Sequence, residues 1–286
     1  MGGGFEQPQQ AVPIPVSSGS VEIGDTYSAT FRVIRETFPT LAAAGAIVMG
    51  PGIVIQLVVS IGLSLAMRQV MSDPTSVDPS LAIGGTVAYF LVLGISIVTY
   101  AIAQAMLMHT TVERLAGGTP TLGGAVKAAM SRLIPVVVVS FLCGLAVALG
   151  TFLCCAPGIF AWVVLILAVP ACVVERAGII DSLQRSISLT EGHRLPIFLV
   201  FLVAGAVYMV TAMCIVGPFQ VIGATQVRPG EIPDPLSIIQ LVQTFVTYLI
   251  ASVFQIVIAV LTAVIYARLR GIKDNVDAQS LARVFA

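Results

Sequence analysis

The chain has 286 residues, of which 57% are hydrophobic and 10% charged, and its fourteen basic and fourteen acidic residues balance to zero net charge. With a mean hydropathy of +1.01, this composition excludes a soluble globular domain and a disordered chain. Neutrality removes the basic field that a nucleic-acid partner requires, so none is expected.

The charges are confined to the edges of long uncharged runs. No Asp, Glu, Lys or Arg lies between Glu36 and Arg68, Asp78 and Glu113, Arg132 and Glu175, Arg194 and Arg228, or Asp234 and Arg268. These runs hold 31, 34, 42, 33 and 33 residues. A bilayer core of ~30 Å takes about 20 apolar helical residues. Four runs therefore cross once, and the third, about 63 Å long as a helix, crosses twice. The predicted fold is all-α, an integral membrane six-helix bundle.

In chain order, residues 1–24 lack the basic start and apolar core of a signal peptide, and their Gly, Pro, Gln and Ser content predicts a disordered tail. Glu6 stands where myristoylation needs Ser or Thr. From Asp25 to Pro39 the apolar residues Tyr27, Phe31, Ile34 and Phe38 recur at helical spacing, with Arg32, Arg35 and Glu36 elsewhere and Asp25 as the expected N-cap. Span 1, about 40–66, contains Gly50-Pro51-Gly52, expected to kink or unwind it near mid-membrane. Span 2 covers about 81–108. A second amphipathic segment, Thr121 to Pro135, sets Leu122, Val126, Ala129 and Leu133 against Lys127, Ser131 and Arg132, with Thr121 as N-cap. Spans 3 and 4, about 133–154 and 158–174, form a hairpin turning at Cys154-Cys155-Ala156-Pro157-Gly158. A third segment, Gly178 to Pro196, sets Ile180, Leu183 and Ile187 against Asp181, Gln184 and Arg185, an Asp181–Arg185 pair one turn apart, and stops at Gly192. Span 5, about 195–217, ends near Gly217-Pro218, span 6 covers about 237–267, and 271–286 is a tail. The six-span domain is thus 25–270, built from three repeats of an interfacial helix followed by a hairpin.

Six crossings put both termini on one side. That side carries twelve of the fourteen Lys and Arg residues, leaving only Arg68 and Arg228 opposite. By the positive-inside rule both termini are cytoplasmic, which predicts a multi-pass protein of the inner (plasma) membrane.

Chemistry is sparse. The predicted spans hold no ionisable residue of the kind that marks a proton relay or carrier. The five cysteines lack Cys-x-x-Cys spacing, and His109 and His193 have no ligand partner at metal-binding spacing, so no metal or cofactor is expected. No nucleophile arrangement or phosphate-cradling loop accompanies them, and the protein reads as non-enzymatic. Pro51, Gln56, Gln240 and Gln243 are the candidates for lining a cavity, while most span glutamines serve interhelical hydrogen bonds. Arg35, Arg132 and Arg185, one from each amphipathic segment, are the candidates for contacting an anionic lipid headgroup.

One stretch carries a resemblance. Val169-Pro170-Ala171-Cys172-Val173-Val174-Glu175-Arg176-Ala177-Gly178, followed by Ser182-Leu183-Gln184-Arg185-Ser186 and Leu189-Thr190-Glu191-Gly192-His193, resembles a segment of a broad group of bacterial six-span membrane proteins. That group includes the membrane domain ahead of some glycerophosphoryl diester phosphodiesterases. The resemblance implies a fold and a bacterial inner-membrane location but no reaction, since the phosphodiesterase barrel has no counterpart here. Within the stretch, Glu175 at the end of span 4 and Arg185 on the next segment form a candidate structural clamp. The leading expectation is a lipid-binding or scaffold subunit of an envelope complex, with membrane lipids and another membrane protein as partners. A permease-like module for a neutral or amphiphilic substrate, and a membrane subunit of a lipid-processing enzyme assembled in trans, are the alternatives.

Overall fold

A run of Val, Leu, Ile and Ala offers its backbone no polar partner but itself, and in an apolar setting the α-helix satisfies every such group. The computed structural model describes residues 22–72, 79–226 and 237–274. Among them are nine helices: α1 (Ile23–Ser72), α2 (Pro79–Leu115), α3 (Leu122–Ser131), α4 (Leu133–Leu153), α5 (Cys155–Leu165), α6 (Ala168–Val174), α7 (Ile179–Thr190), α8 (Arg194–Gln226) and α9 (Ile238–Asp274). Six segments are long and apolar enough to cross a membrane: Ile23–Val59, Gly84–Leu115, Leu133–Leu153, Cys155–Val174, Arg194–Gly223 and Ile238–Asp274. The predicted tail 1–24 lies outside the described residues up to 21, as does the C-terminal tail from 275.

Several boundaries differ from the sequence reading. The first amphipathic segment is continuous with span 1, and Asp25 sits inside the first turn of α1 rather than capping it. Only Thr37 leaves helical dihedrals there, at φ −116° and ψ 16°. Pro39, two residues on, has no N–H to give, and its ring crowds the preceding turn. Pro51 leaves the backbone helical, so the unwinding expected at Gly50-Pro51-Gly52 is absent. Its glycine neighbour instead brings two helices together. A Cβ on Gly52 would stand 3.2 Å from the Tyr248 ring, and one on Gly45 3.1 Å from Ile256, both on α9. Likewise α8 continues through Pro218 to Gln226.

The hairpin between α4 and α5 turns on one extended residue, Cys154, at φ −170° and ψ 152°. Gly150 and Gly158 lie back to back beneath it, a Cβ on Gly150 falling 2.9 Å from the Gly158 Cα. Span 4 is then broken. The helix α5 stops at Leu165 and α6 begins at Ala168, because Pro170 cannot donate to the carbonyl of Ile166.

Burial is concentrated at the end of the bundle where the basic residues lie. The core takes Val33, Leu41 and Ala44 of α1, Met106 and Leu107 of α2, Leu167 before α6, Ile197 of α8, and the unbroken run Ala259–Leu269 of α9. Toward the other end large apolar side chains face outward, among them Val54, Phe90, Phe152, Val221 and Val253.

The short segments pack in one manner. Thr26, Thr30, Val33 and Thr37 of α1, Ala125 and Ala129 of α3, and Ser182, Ser186 and Thr190 of α7 face inward. Phe31 and Phe38, then Leu122, Val126 and Met130, then Ile180 and Ile187 point outward. Small residues let backbones approach, and where the surroundings are as apolar as Leu nothing drives bulky side chains inward. Thr121 caps α3, its hydroxyl accepting from the Gly124 N–H at 3.2 Å, and Gly192 follows α7 with φ +82°.

Candidate functional site

Two features stand out at the basic end and just above it. The first is ionic. Glu175 follows the last turn of α6, and Arg185 Nε donates to its Oε1 and Oε2 at 3.0 and 3.1 Å. The Tyr266 hydroxyl of α9 donates to Oε1 at 2.6 Å. Arg185 Nη2 also donates to Asp274, and Arg270 Nε lies 3.9 Å from Glu175 and 3.7 Å from Asp274. Lys273 donates to the Ser188 carbonyl. Two guanidiniums thus balance two carboxylates, joining α6, α7 and α9 through charge-assisted bonds. Burial alone would lower the Arg185 pKa, but the hydrogen bonds to Asp274 and Glu175 outweigh it and hold the pKa above the ordinary arginine value.

This geometry sorts the sequence candidates. Arg185 is engaged with carboxylates, whereas Arg35 stands exposed on α1 and Arg132 is half-buried between α3 and α4. The Asp181–Arg185 pair does not form. Asp181 is exposed, and Arg185 turns to Glu175 and Asp274 instead. Arg268, one residue beyond predicted span 6, continues α9 at 3% exposure, its Nη1 donating to Thr26 Oγ1 at 3.1 Å. A second ion pair, Arg114 to Glu36 at 2.8 and 2.5 Å, ties α2 to α1.

The second feature is a cavity of about 380 Å³ beside the break in span 4. Leu165 and Ile166, the residues at which α5 ends, form part of its wall together with Trp162 and Val169. Opposite are Tyr100, Gln104 and Met108 of α2, Ser140, Cys143 and Gly144 of α4, and Thr262 of α9. Irregular backbone at membrane depth is tolerated where it is packed in protein or lines a cavity. The break is held by a hydroxyl from outside: Ser186 of α7 donates to the Val164 carbonyl at 2.6 Å.

The predicted cavity residues are elsewhere. Pro51 is exposed, Gln240 half-buried and Gln243 buried on α9, none of them in this wall. The Gln56 side chain falls outside the described residues. Gln104 is the glutamine that reaches the cavity; Pro170, one helical turn beyond Ile166, marks in the sequence only the break beside it.

No curated protein and no solved structure matches the chain. Residues 114–269, from the last turn of α2 to the buried end of α9, match the family described as a domain of unknown function (DUF7847). The matched region contains the Glu175–Arg185–Tyr266 cluster, the break in span 4 and all of the cavity wall except its α2 side. The chain belongs to the DUF7847 family.

Proposed function

We propose that the protein is a non-enzymatic, multi-pass protein of the inner (plasma) membrane, with both termini cytoplasmic, that holds lipid against a scaffold. The three amphipathic segments, each preceding a hairpin as a repeated unit, lie in the cytoplasmic headgroup layer. One observation carries this reading. Each segment leaves bulky apolar side chains facing outward, Phe31 and Phe38, Val126 and Met130, Ile180 and Ile187, and the first two carry exposed cations beside them, Arg32, Arg35 and Lys127. Apolar faces with basic flanks are what helices at the headgroup level require.

The test is native mass spectrometry of the full chain extracted gently from its own membrane. An anionic phospholipid is expected to stay bound, and the Arg35→Gln, Arg132→Gln double variant to lose it. Arg185→Gln is expected to keep the lipid but melt at lower temperature, because it breaks the clamp to Glu175 and Asp274. Unchanged lipid retention in the double variant would overturn the reading.

A permease-like role for a neutral or amphiphilic substrate is the second reading, favoured by the discontinuous span 4, since carriers build sites where helices break. Uptake by proteoliposomes decides between them. The resemblance of 169–193 to the membrane domain of phosphodiesterases supports a third, a membrane subunit of a lipid-processing enzyme assembled in trans, which a hydrolase retained at one copy per chain would favour.

A further inference from the structure

We propose that the cavity at the break in span 4 binds a single-chain neutral amphiphile, whose O–H or amide N–H donates to Gln104 Oε1 and whose chain lies along the apolar wall. The cavity, at about 380 Å³, falls within the size range of small-molecule sites. Its polar groups are few, and two of them are unmatched among the described residues. Gln104 is 8% exposed, and its Nε2 donates to the Tyr100 hydroxyl at 2.8 Å, yet Oε1 is buried without a partner. Turning the amide over would leave its nitrogen unmatched instead. Ser140 Oγ, across the cavity on α4, is buried without a partner too. The third hydroxyl-bearing chain, Thr262, is already committed to the Ile258 carbonyl at 2.7 Å. A buried acceptor left unmatched is costly, and a ligand donor relieves that cost.

Among the described residues no Asp, Glu, Lys, Arg or His lines the cavity, so a charged head would enter without a counter-ion. The entry path is lateral. Tyr100, Gly144, Ala148 and Trp162 are exposed at mid-span, where an outward-facing side chain meets acyl chains. Access from the hydrocarbon favours an amphiphile dissolved in the bilayer over a solute in water. That last step rests on the transmembrane reading above; the matching of donor to acceptor does not.

Trp162 lines the cavity and is the only tryptophan in the chain, so its fluorescence reports occupancy. The full chain in mild detergent is titrated with a terminally brominated dodecanol, with its methyl ether, which cannot donate, and with the same chain ending in trimethylammonium. The alcohol is expected to quench Trp162 saturably and to be displaced by unlabelled dodecanol, while the other two quench without saturation. Gln104→Leu is expected to weaken binding about tenfold, as loss of one buried hydrogen bond does. Gly144→Leu, at a position where an added Cβ meets nothing within 4 Å, is expected to fill the cavity and abolish saturation with the fold intact. Saturable binding of the ether equal to that of the alcohol overturns the proposal. So does quenching by the alcohol that never saturates and ignores dodecanol and both variants. Neither result bears on phospholipid retention at Arg35 and Arg132, so the two readings fail separately.

Discussion

Buried hydroxyls in this bundle mostly bond one turn back along their own helix, Thr30 to Thr26, Thr37 to Val33 and Thr111 to Leu107, each at 2.7 Å. Such bonds are local and leave the helix where it was. Ser186 differs, because its proton goes to Val164 in another helix whose carbonyl sits beside a break. Ser186→Ala strands a buried acceptor, at a cost of about 1–3 kcal/mol. A thermal melt in detergent should show the loss, whereas exposed Ser188→Ala, which gives up only a bond to the Arg185 carbonyl, should melt like the parent. Equal melting of the two variants would remove Ser186 from this role. Little of this was legible in the sequence. Glu175 and Arg185 are close enough along the chain to be paired by inspection. Tyr266 and Asp274, about ninety residues further on, carried no local signal.

Among the elements, the hairpin α4–α5 is set by two glycines. A Cβ on Gly158 would lie 2.1 Å from Thr151 Oγ1 and 2.7 Å from its backbone nitrogen. No rotamer of Thr151 relieves the backbone clash, so Gly158→Ala must part the two helices. It is expected to lower the yield of folded protein and the melting temperature, while Gly144→Ala on α4, where an added Cβ meets nothing within 4 Å, is expected to change neither. A Gly158→Ala variant with the parental melting curve would show that the hairpin can loosen at no cost. The six apolar spans were legible because runs of more than 30 uncharged residues have few other uses. Their ends were less so, since proline and charge were read as stops. In the structure Pro218 is carried inside α8, and α9 runs on past Arg268 to Asp274. Short helices stand at 122–131 and 179–190, within the second and third predicted segments, while the first runs on into span 1; Ile180 and Ile187 of the expected apolar face of α7 point away from the bundle. The buried face of α7 instead combines Leu189 with the small Ser182, Ser186 and Thr190, which let its backbone approach the neighbouring helices.

For the molecule as a whole, the proposed orientation puts the α4–α5 turn on the face opposite the basic end. Cys154 and Cys155 are exposed there. With Cys155 as the sole thiol, a membrane-impermeant maleimide applied to intact cells should label it, and a cysteine placed at Arg35 should react only after permeabilisation. The reverse pattern would invert the topology. The order of the chain adds one consequence. The run Ala259–Leu269 of α9 is the centre of the core; Arg268 within it bonds Thr26 of α1, and Tyr248 and Ile256 before it meet Gly52 and Gly45 of α1. A chain emerging from the ribosome presents α1 first and α9 last among these helices. On the proposed transmembrane reading, the face of the earliest span that carries Gly45 and Gly52 stays open until the sixth arrives, and Arg268 enters its buried position only when that seam closes. The seam between α1 and α9 is thus a closure of first upon last.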